Sequence, residues 1–315
     1  MTTSTTVRLV ETVRDAWQGL PRVLPTESKV SFVQRLLDAG FRRVDVGSFV
    51  SPSRVPSMAD TGELLARLRV PAAATLTALV ASESGLERLL AVSAAGAGAA
   101  AGSADGVSGG APVVREVLYP FSLSERFQRR NTERSREEAF ATLQAVVARA
   151  HEARRTVYTT ISMAFGNNEG DAFDSAELRD WVARLHGAGV DRVGLADTTA
   201  MADAAAIARV YGAVMREARW AVPSAHLHVT PENQRALLDA ALDAGVRDID
   251  CALGGLGGCQ FAKGAVSNVS TLPLVRHLLE RGLQPDLPAQ AVAALPELDL
   301  AARTLAAGSA APATG

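Results

Sequence analysis

Eight short strand-like runs alternate with helical segments along this chain, and that alternation restricts the fold more than any other feature of the sequence. The strand-like runs cover 7–12, 41–49, 72–80, 113–121, 155–165, 191–198, 224–230 and 246–253. Between them, apolar residues recur at helical spacing over 27–40, 57–69, 135–153, 175–189, 204–218 and 233–245. A further helix starts at "SESGLERLLAVSAAG". Alternating β and α segments imply parallel strands joined by right-handed crossovers. Eight such units in about 280 residues predict an α/β protein, a closed (β/α)8 TIM barrel, in preference to a doubly wound sheet. One catalytic barrel over 1–290 is expected, with a short C-terminal helical extension over 291–315 that is partly disordered. Residues 94–112, rich in Gly, Ala and Ser, read as a flexible insertion in the third helix-to-strand connection.

Composition narrows the function classes. With 48% hydrophobic residues, the 315-residue chain can bury a large core. A formal net charge of −2 offers no basis for binding nucleic acid or an anionic membrane. The N-terminus "MTTSTTVRLV" lacks the apolar centre of a secretory signal, and no run is apolar enough to span a membrane. Two cysteines, Cys251 and Cys259, cannot build a disulfide framework, so a reduced, cytoplasmic setting is expected.

A barrel of this kind gathers its functional residues at the C-terminal ends of strands and in the loops that follow. Two of the five histidines, His226 and His228, fall on the seventh strand-like run. Their spacing of two residues puts both on one face of a strand. They read either as half of a metal site or as a packed pair in the core or at its polar rim. After the first run come Arg14, Asp15 and Gln18. Asp15 suits a hard-oxygen ligand and Arg14 a planar fork for a developing oxyanion; the plainer reading is an ion pair between neighbours. Asp45 and Ser48 end the second run and Asp197 the sixth, where caps or loop turns are the ordinary use of such residues. The eighth run leads into "GGLGGCQFAKGAVSN". Its glycines suggest a mobile or tightly turning loop that carries Cys259, either as an acid/base thiol or as an inert small residue. Asn268 follows, with an amide oxygen able to ligate.

The segments "RDAWQ", "DVGSFVSPSRVPSMAD", "LADTT", "HLH" and "GGLGGCQFAKGAVSN", in this order, resemble the 3-hydroxy-3-methylglutaryl-CoA lyase family of metal-dependent barrels. The similarity runs from about residue 7 to residue 283. It implies that Asp15, His226, His228 and Asn268 hold a divalent metal, Mg²⁺ or Mn²⁺. It further implies that Arg14 stabilises an enolate and that Cys259 helps move protons. Asp45 falls where the family carries a glutamate, Asp197 matches an acidic residue after the sixth strand, and Gln18 a glutamine of the first motif. Both carboxylates are expected to hold Arg14 or the histidines in place. An acyl-CoA thioester substrate is implied, and a homodimer is compatible with the resemblance.

The reaction so implied is retro-Claisen cleavage of a 3-hydroxyacyl thioester to acetyl-CoA and a 3-keto acid, with Asp15 or His226 as the base. The alternatives are a condensing synthase of the same superfamily and a weakly catalytic metal-binding scaffold. The Cys259 loop has the lyase spacing and speaks against the synthase. Three departures from the family pattern surround the site. Val229 replaces an aspartate after the second histidine, Trp17 brings an indole next to Asp15, and "AFGNNEGDAF" replaces a turn that usually carries Cys and Pro.

Overall fold

The computed structural model of the chain describes residues 5–99, 113–217, 223–258 and 266–308. Eight parallel strands stand in sequence order: β1 (Thr6–Glu11), β2 (Arg43–Ser48), β3 (Thr75–Leu79), β4 (Val114–Ser122), β5 (Thr156–Ser162), β6 (Arg192–Asp197), β7 (Ser224–Val229) and β8 (Asp248–Cys251). The sheet closes because β8 pairs with β1, from Arg8 opposite Asp248 to Glu11 opposite Cys251. Two short strands follow. β9 (Ser267–Asn268) runs antiparallel to β7, and β10 (Gln284–Pro285) parallel to β1.

Around the barrel lie α1 (Val13–Gln18), α2 (Thr26–Ala39), α3 (Thr61–Arg67), α4 (Glu83–Ala99), α5 (Glu125–Thr132), α6 (Arg136–Glu152), α7 (Ser175–Gly187), α8 (Ala204–Glu217), α9 (Gln234–Asp243), α10 (Thr271–Glu280) and α11 (Ala289–Ala307). Each main helix buries one apolar stripe: Leu36 on α2, Leu64 on α3, Leu86 on α4, Leu143 on α6, Leu178 on α7 and Leu238 on α9 are sealed from solvent. Strands covered by side chains inside and helices outside are buried on both faces. Accordingly β8 is buried throughout, and β2 and β6 are buried after their first residues. Ser135 begins α6 with a reciprocal cap: its hydroxyl accepts from the Glu138 amide while the Glu138 carboxylate accepts from the Ser135 amide. Such a cap contributes about 1 kcal/mol. Among the described residues no helix is long and apolar enough to cross a membrane.

Several sequence expectations shift at their edges. The insertion expected over 94–112 begins later, because α4 continues through Ala99; residues 100–112 lie outside the described residues. Helicity expected over 57–69 divides into a 3-10 turn at Pro56–Met58 and α3, Pro56 sitting where a helix can begin but not continue. The extension after the barrel is α11, whose helix reaches Ala307; residues 309–315 lie outside the described residues. α5 has no counterpart in the hydrophobic pattern, since it buries only Phe127 and Gln128. Its Ser124 hydroxyl caps it by accepting from the Phe127 amide at 3.0 Å.

The barrel floor holds a layer of charge. Arg192 donates from Nε and Nη2 to Glu116 at 3.1 and 2.7 Å and lies 3.5 Å from Asp248. Asp248 also meets Arg8 at 3.2 Å, and Thr77 donates to Glu116 at 2.8 Å. The Arg192 guanidinium lies over the Tyr158 ring, 3.4 Å from its centroid. Opposite charges and a π face pack the centre here.

Candidate metal centre and active site

At the other end of the barrel a cavity of about 730 Å³ opens, lined among others by Arg14, Asp15, Ser48, His226, His228 and Asp250. Asp15 lies on α1, the short helix that follows β1. The histidines lie on β7, and Asn268 on β9 in register with His228. One ligand atom from each of Asp15, His226 and His228 lies within 4.8 Å of the others. Asn268 donates from Nδ2 to Asp15 Oδ2 at 2.8 Å and to the Leu256 carbonyl at 2.9 Å. Its Oδ1 is thereby the amide atom left to ligate.

Both imidazoles are held by Nδ1. His226 Nδ1 meets Asp250 Oδ2 at 3.1 Å, and His228 Nδ1 donates to the Thr198 carbonyl at 2.8 Å. A proton on Nδ1 leaves a lone pair on Nε2. His228 Nε2 is buried and has no hydrogen-bond partner among the described residues. A buried polar atom left without a partner calls for an explanation, and a role as a metal ligand supplies one. One carboxylate, two neutral imidazoles and one amide oxygen make a donor set suited to a divalent cation. The site residues fit a metal ion.

Arg14 bridges two carboxylates. Its Nε and Nη2 donate to Asp45 Oδ2 at 3.0 and 2.7 Å, and its Nη1 donates to Asp15 Oδ1 at 3.1 Å. The charges set one another's protonation. Burial pushes Asp15 up, but Arg14 and the two histidines outweigh it and hold this carboxyl below its ordinary range. Asp45 is pushed up to about 6, because burial exceeds the pull of Arg14. His228 is lowered to about 4 by burial and by the adjacent His226. For His226 burial opposes the charge, but Asp250 more than offsets it, so its pKa rises.

The remaining sequence candidates are placed unevenly. Ser48 lies in the cavity wall and its hydroxyl accepts from the Val50 amide at 3.2 Å. Gln18 is exposed at the rim. Asp45 braces Arg14 as expected. Asp197 does not brace Arg14 or a histidine through a direct bond. Its oxygens accept from the Met201 and Ala202 amides at 2.9 and 3.0 Å, so it shapes the turn that carries Thr198, the carbonyl partner of His228. Cys259 lies outside the described residues. Of the same loop, Gly257 packs against Asp15 and Asn268 with φ 82°, and a Cβ there would lie 2.5 Å from Asn268 Nδ2. Only glycine fits that approach.

Two of the departures turn away from the chemistry. Trp17 is buried against Phe32, with ring centroids 5.9 Å apart, and does not line the cavity. Val229 is buried in the core. The segment after β5 braces itself and α5: Asn167 accepts from the Glu169 and Asp171 amides, and Asp171 accepts from the Ser124 hydroxyl at 2.6 Å. Sequence reasoning missed Asp250 and Tyr158. The signal was there, since "DID" in β8 repeats the two-residue spacing of "HLH" and places Asp248 and Asp250 on one face.

Comparison with known proteins gives the chain's relatives. The chain is 30% identical over 280 residues to the hydroxymethylglutaryl-CoA lyase of Pseudomonas mevalonii, covering 89% of this chain and 86% of that one. It is 30% identical over 278 residues to the cytoplasmic 3-hydroxy-3-methylglutaryl-CoA lyase of Rattus norvegicus, covering 88% and 75%. The crystal structure of the hydroxymethylglutaryl-CoA lyase of Pseudomonas aeruginosa superposes with a TM-score of 0.82 at 28% identity, over 98% of this chain and all of that one. With residues 7–298 matching the HMGL-like family as well, the chain belongs to that family.

Proposed function

We propose that this protein is a carbon–carbon lyase that cleaves a 3-hydroxy-3-methylglutaryl-CoA-like thioester to acetyl-CoA and a 3-keto acid, with Mg²⁺ or Mn²⁺ held by Asp15, His226, His228 and Asn268. The observation that carries this reading is the gathering of three ligand atoms within 4.8 Å beside a buried, unpartnered His228 Nε2. Oxygen donors and imidazoles without a thiolate favour Mg²⁺ or Mn²⁺ over Zn²⁺. The cation supplies Lewis acidity to the substrate hydroxyl and orients it.

The protein groups divide the remaining work. Removal of the hydroxyl proton falls to His226 or Asp15. Asp15 is the better base of the two, because it keeps a second carboxylate oxygen when one oxygen ligates, whereas His226, with Nδ1–H on Asp250 and Nε2 given to the ion, has no lone pair left. As the C2–C3 bond breaks, its electron pair passes to the thioester unit and negative charge gathers on the enolate oxygen. A guanidinium has five N–H donors. The three bonds from Arg14 to Asp45 and Asp15 leave two free for that oxygen. Because Asp45 fixes the fork, little reorganisation is needed when charge develops. A thiol from Cys259 returns a proton to the enolate carbon, giving acetyl-CoA. The cavity is large enough to take the acyl end of such a thioester and its pantetheine thiol. A homodimer in the cytoplasm is the expected setting.

The test is release of acetyl-CoA from hydroxymethylglutaryl-CoA by protein stripped with chelator and then supplied with Mg²⁺ or Mn²⁺. Turnover that returns with the metal supports the reading. No turnover with this thioester or with C3-branched analogues, under any metal, would sink it.

A further inference from the structure

Below the metal centre, one chain of hydrogen bonds links the barrel interior to a single histidine. His226 Nδ1 meets Asp250 Oδ2 at 3.1 Å, and Tyr158 Oη donates to the same oxygen at 3.3 Å. Ser224 Oγ lies 2.8 Å from Tyr158 Oη. A phenol has one proton and burial keeps it in place, so one pattern gives every donor in this chain an acceptor. Ser224 donates to Tyr158, Tyr158 donates to Asp250, and His226 donates to Asp250. The backbone is shaped for this pattern. Gly194 on β6 faces the phenol, and a Cβ there would lie 2.3 Å from Tyr158 Oη and 2.7 Å from Ser224 Oγ. Any larger residue at position 194 would push the phenol away. From the other side, the Arg192 guanidinium holds the ring at 3.4 Å. His228, by contrast, rests on a peptide carbonyl.

We propose that Asp250, set in place by Tyr158 over Gly194, is the positioning residue that fixes the Nδ1–H tautomer of His226 and turns its Nε2 lone pair toward Asp15 and His228. This rests on the assignment of these residues as a metal centre. Two donors on the same Asp250 oxygen resist rotation of the carboxylate, so His226 is biased to offer one nitrogen in one orientation. A carboxylate behind a ligating imidazole also raises its donor strength, and losing such a partner costs about 10- to 100-fold in metal affinity. The chain thus supplies asymmetry: one imidazole backed by a charge, the other by a dipole.

The test uses the full chain without thioester. Mn²⁺ affinity is read by electron paramagnetic resonance of the free ion, and the histidine tautomers of the metal-free protein by long-range ¹H–¹⁵N correlation. Asp250→Ala should weaken Mn²⁺ by about 10- to 100-fold and lose the Nδ1–H signature of His226, with His228 unchanged. Asp250→Glu should restore part of the affinity. Tyr158→Phe and Gly194→Ala leave the carboxylate present but free to turn; both should weaken Mn²⁺ by a smaller factor and broaden the His226 signal. If Asp250→Ala fails to fold, these two carry the test. Unchanged affinity and tautomer in a folded Asp250→Ala, or in Tyr158→Phe, would overturn the proposal. A wild-type protein that releases no acetyl-CoA would overturn the assigned reaction instead, and the tautomer measurement would still decide this one.

Discussion

The two ends of the barrel interior are both lined by charged residues, yet they are built on opposite terms. At the floor, Arg192 lies between Glu116 and Asp248, with Arg8 on Asp248 and Thr77 on Glu116. Each main charge there has an opposite charge against it. At the mouth, Asp15, His226 and His228 crowd together, and His228 Nε2 is buried without a partner among the described residues. A buried layer of opposed charges adds little net stability, because desolvation offsets the attraction, but breaking it is costly. A buried polar atom without a partner is a standing cost that a ligand removes. Unpartnered atoms occur at both ends, Arg192 Nη1 and Asp248 Oδ1 among them at the floor, but those two face each other as opposite charges at 3.5 Å. The comparison teaches that the functional cluster is the one whose unpartnered atom is a lone pair crowded beside other ligand atoms.

Substitutions can break this contrast or sharpen it. The largest effect on activity should come from Asp15→Asn or His228→Ala. Each should reduce metal-dependent acetyl-CoA release to background and abolish saturable Mn²⁺ binding, with the circular-dichroism spectrum preserved. Full activity in either would show that the crowded donors are only packing. Next in size, Arg14→Gln should lower kcat by about 10²–10³-fold, the usual cost of removing a donor to a developing oxyanion. Because Arg14 does not ligate, Mn²⁺ affinity should change far less; an equal loss of both would place it with the ligands. Cys259→Ser should slow turnover by more than about tenfold with KM little altered, the loss expected when proton transfer is impaired. Undiminished turnover would make the thiol a bystander. The smallest change in activity is expected at the floor. Glu116→Gln should leave kcat within a few-fold of the wild type while lowering unfolding stability by about 3 kcal/mol, since the Arg192 charge is left partly uncompensated. Denaturant titration measures that loss, and a kinetic defect as large as that of Arg14→Gln would erase the distinction between floor and mouth.

Trp17 and Val229 show how far neighbours in sequence mislead about neighbours in space. Next to Asp15 in the chain, the indole reads as an intrusion on the site, yet α1 turns it outward onto Phe32. A helix sends adjacent side chains in directions about 100° apart, so one can line a cavity while the next packs in the core. Val229 follows His228, and strand alternation sends it to the opposite face. The same rules worked in favour of the sequence for "HLH", where the spacing of two already implied a shared face. They would have worked for "DID" had its aspartates been read the same way.

From the order of residues alone came the closed parallel barrel, the helical stripes and the short set of residues able to ligate or carry charge. These follow from local periodicity, which the backbone geometry of strands and helices imposes wherever the segment lies. Only the tertiary structure decided which of those residues meet. Barrel closure brings residue 15 to residues 226 and 228, and the antiparallel turn of β9 onto β7 adds residue 268. It also decided that Asp197 serves a loop, that Asp250 backs His226, and that His228 Nε2 has no partner among the described residues. Contacts between residues more than 200 positions apart depend on strand register and side-chain direction together, and no local pattern specifies both.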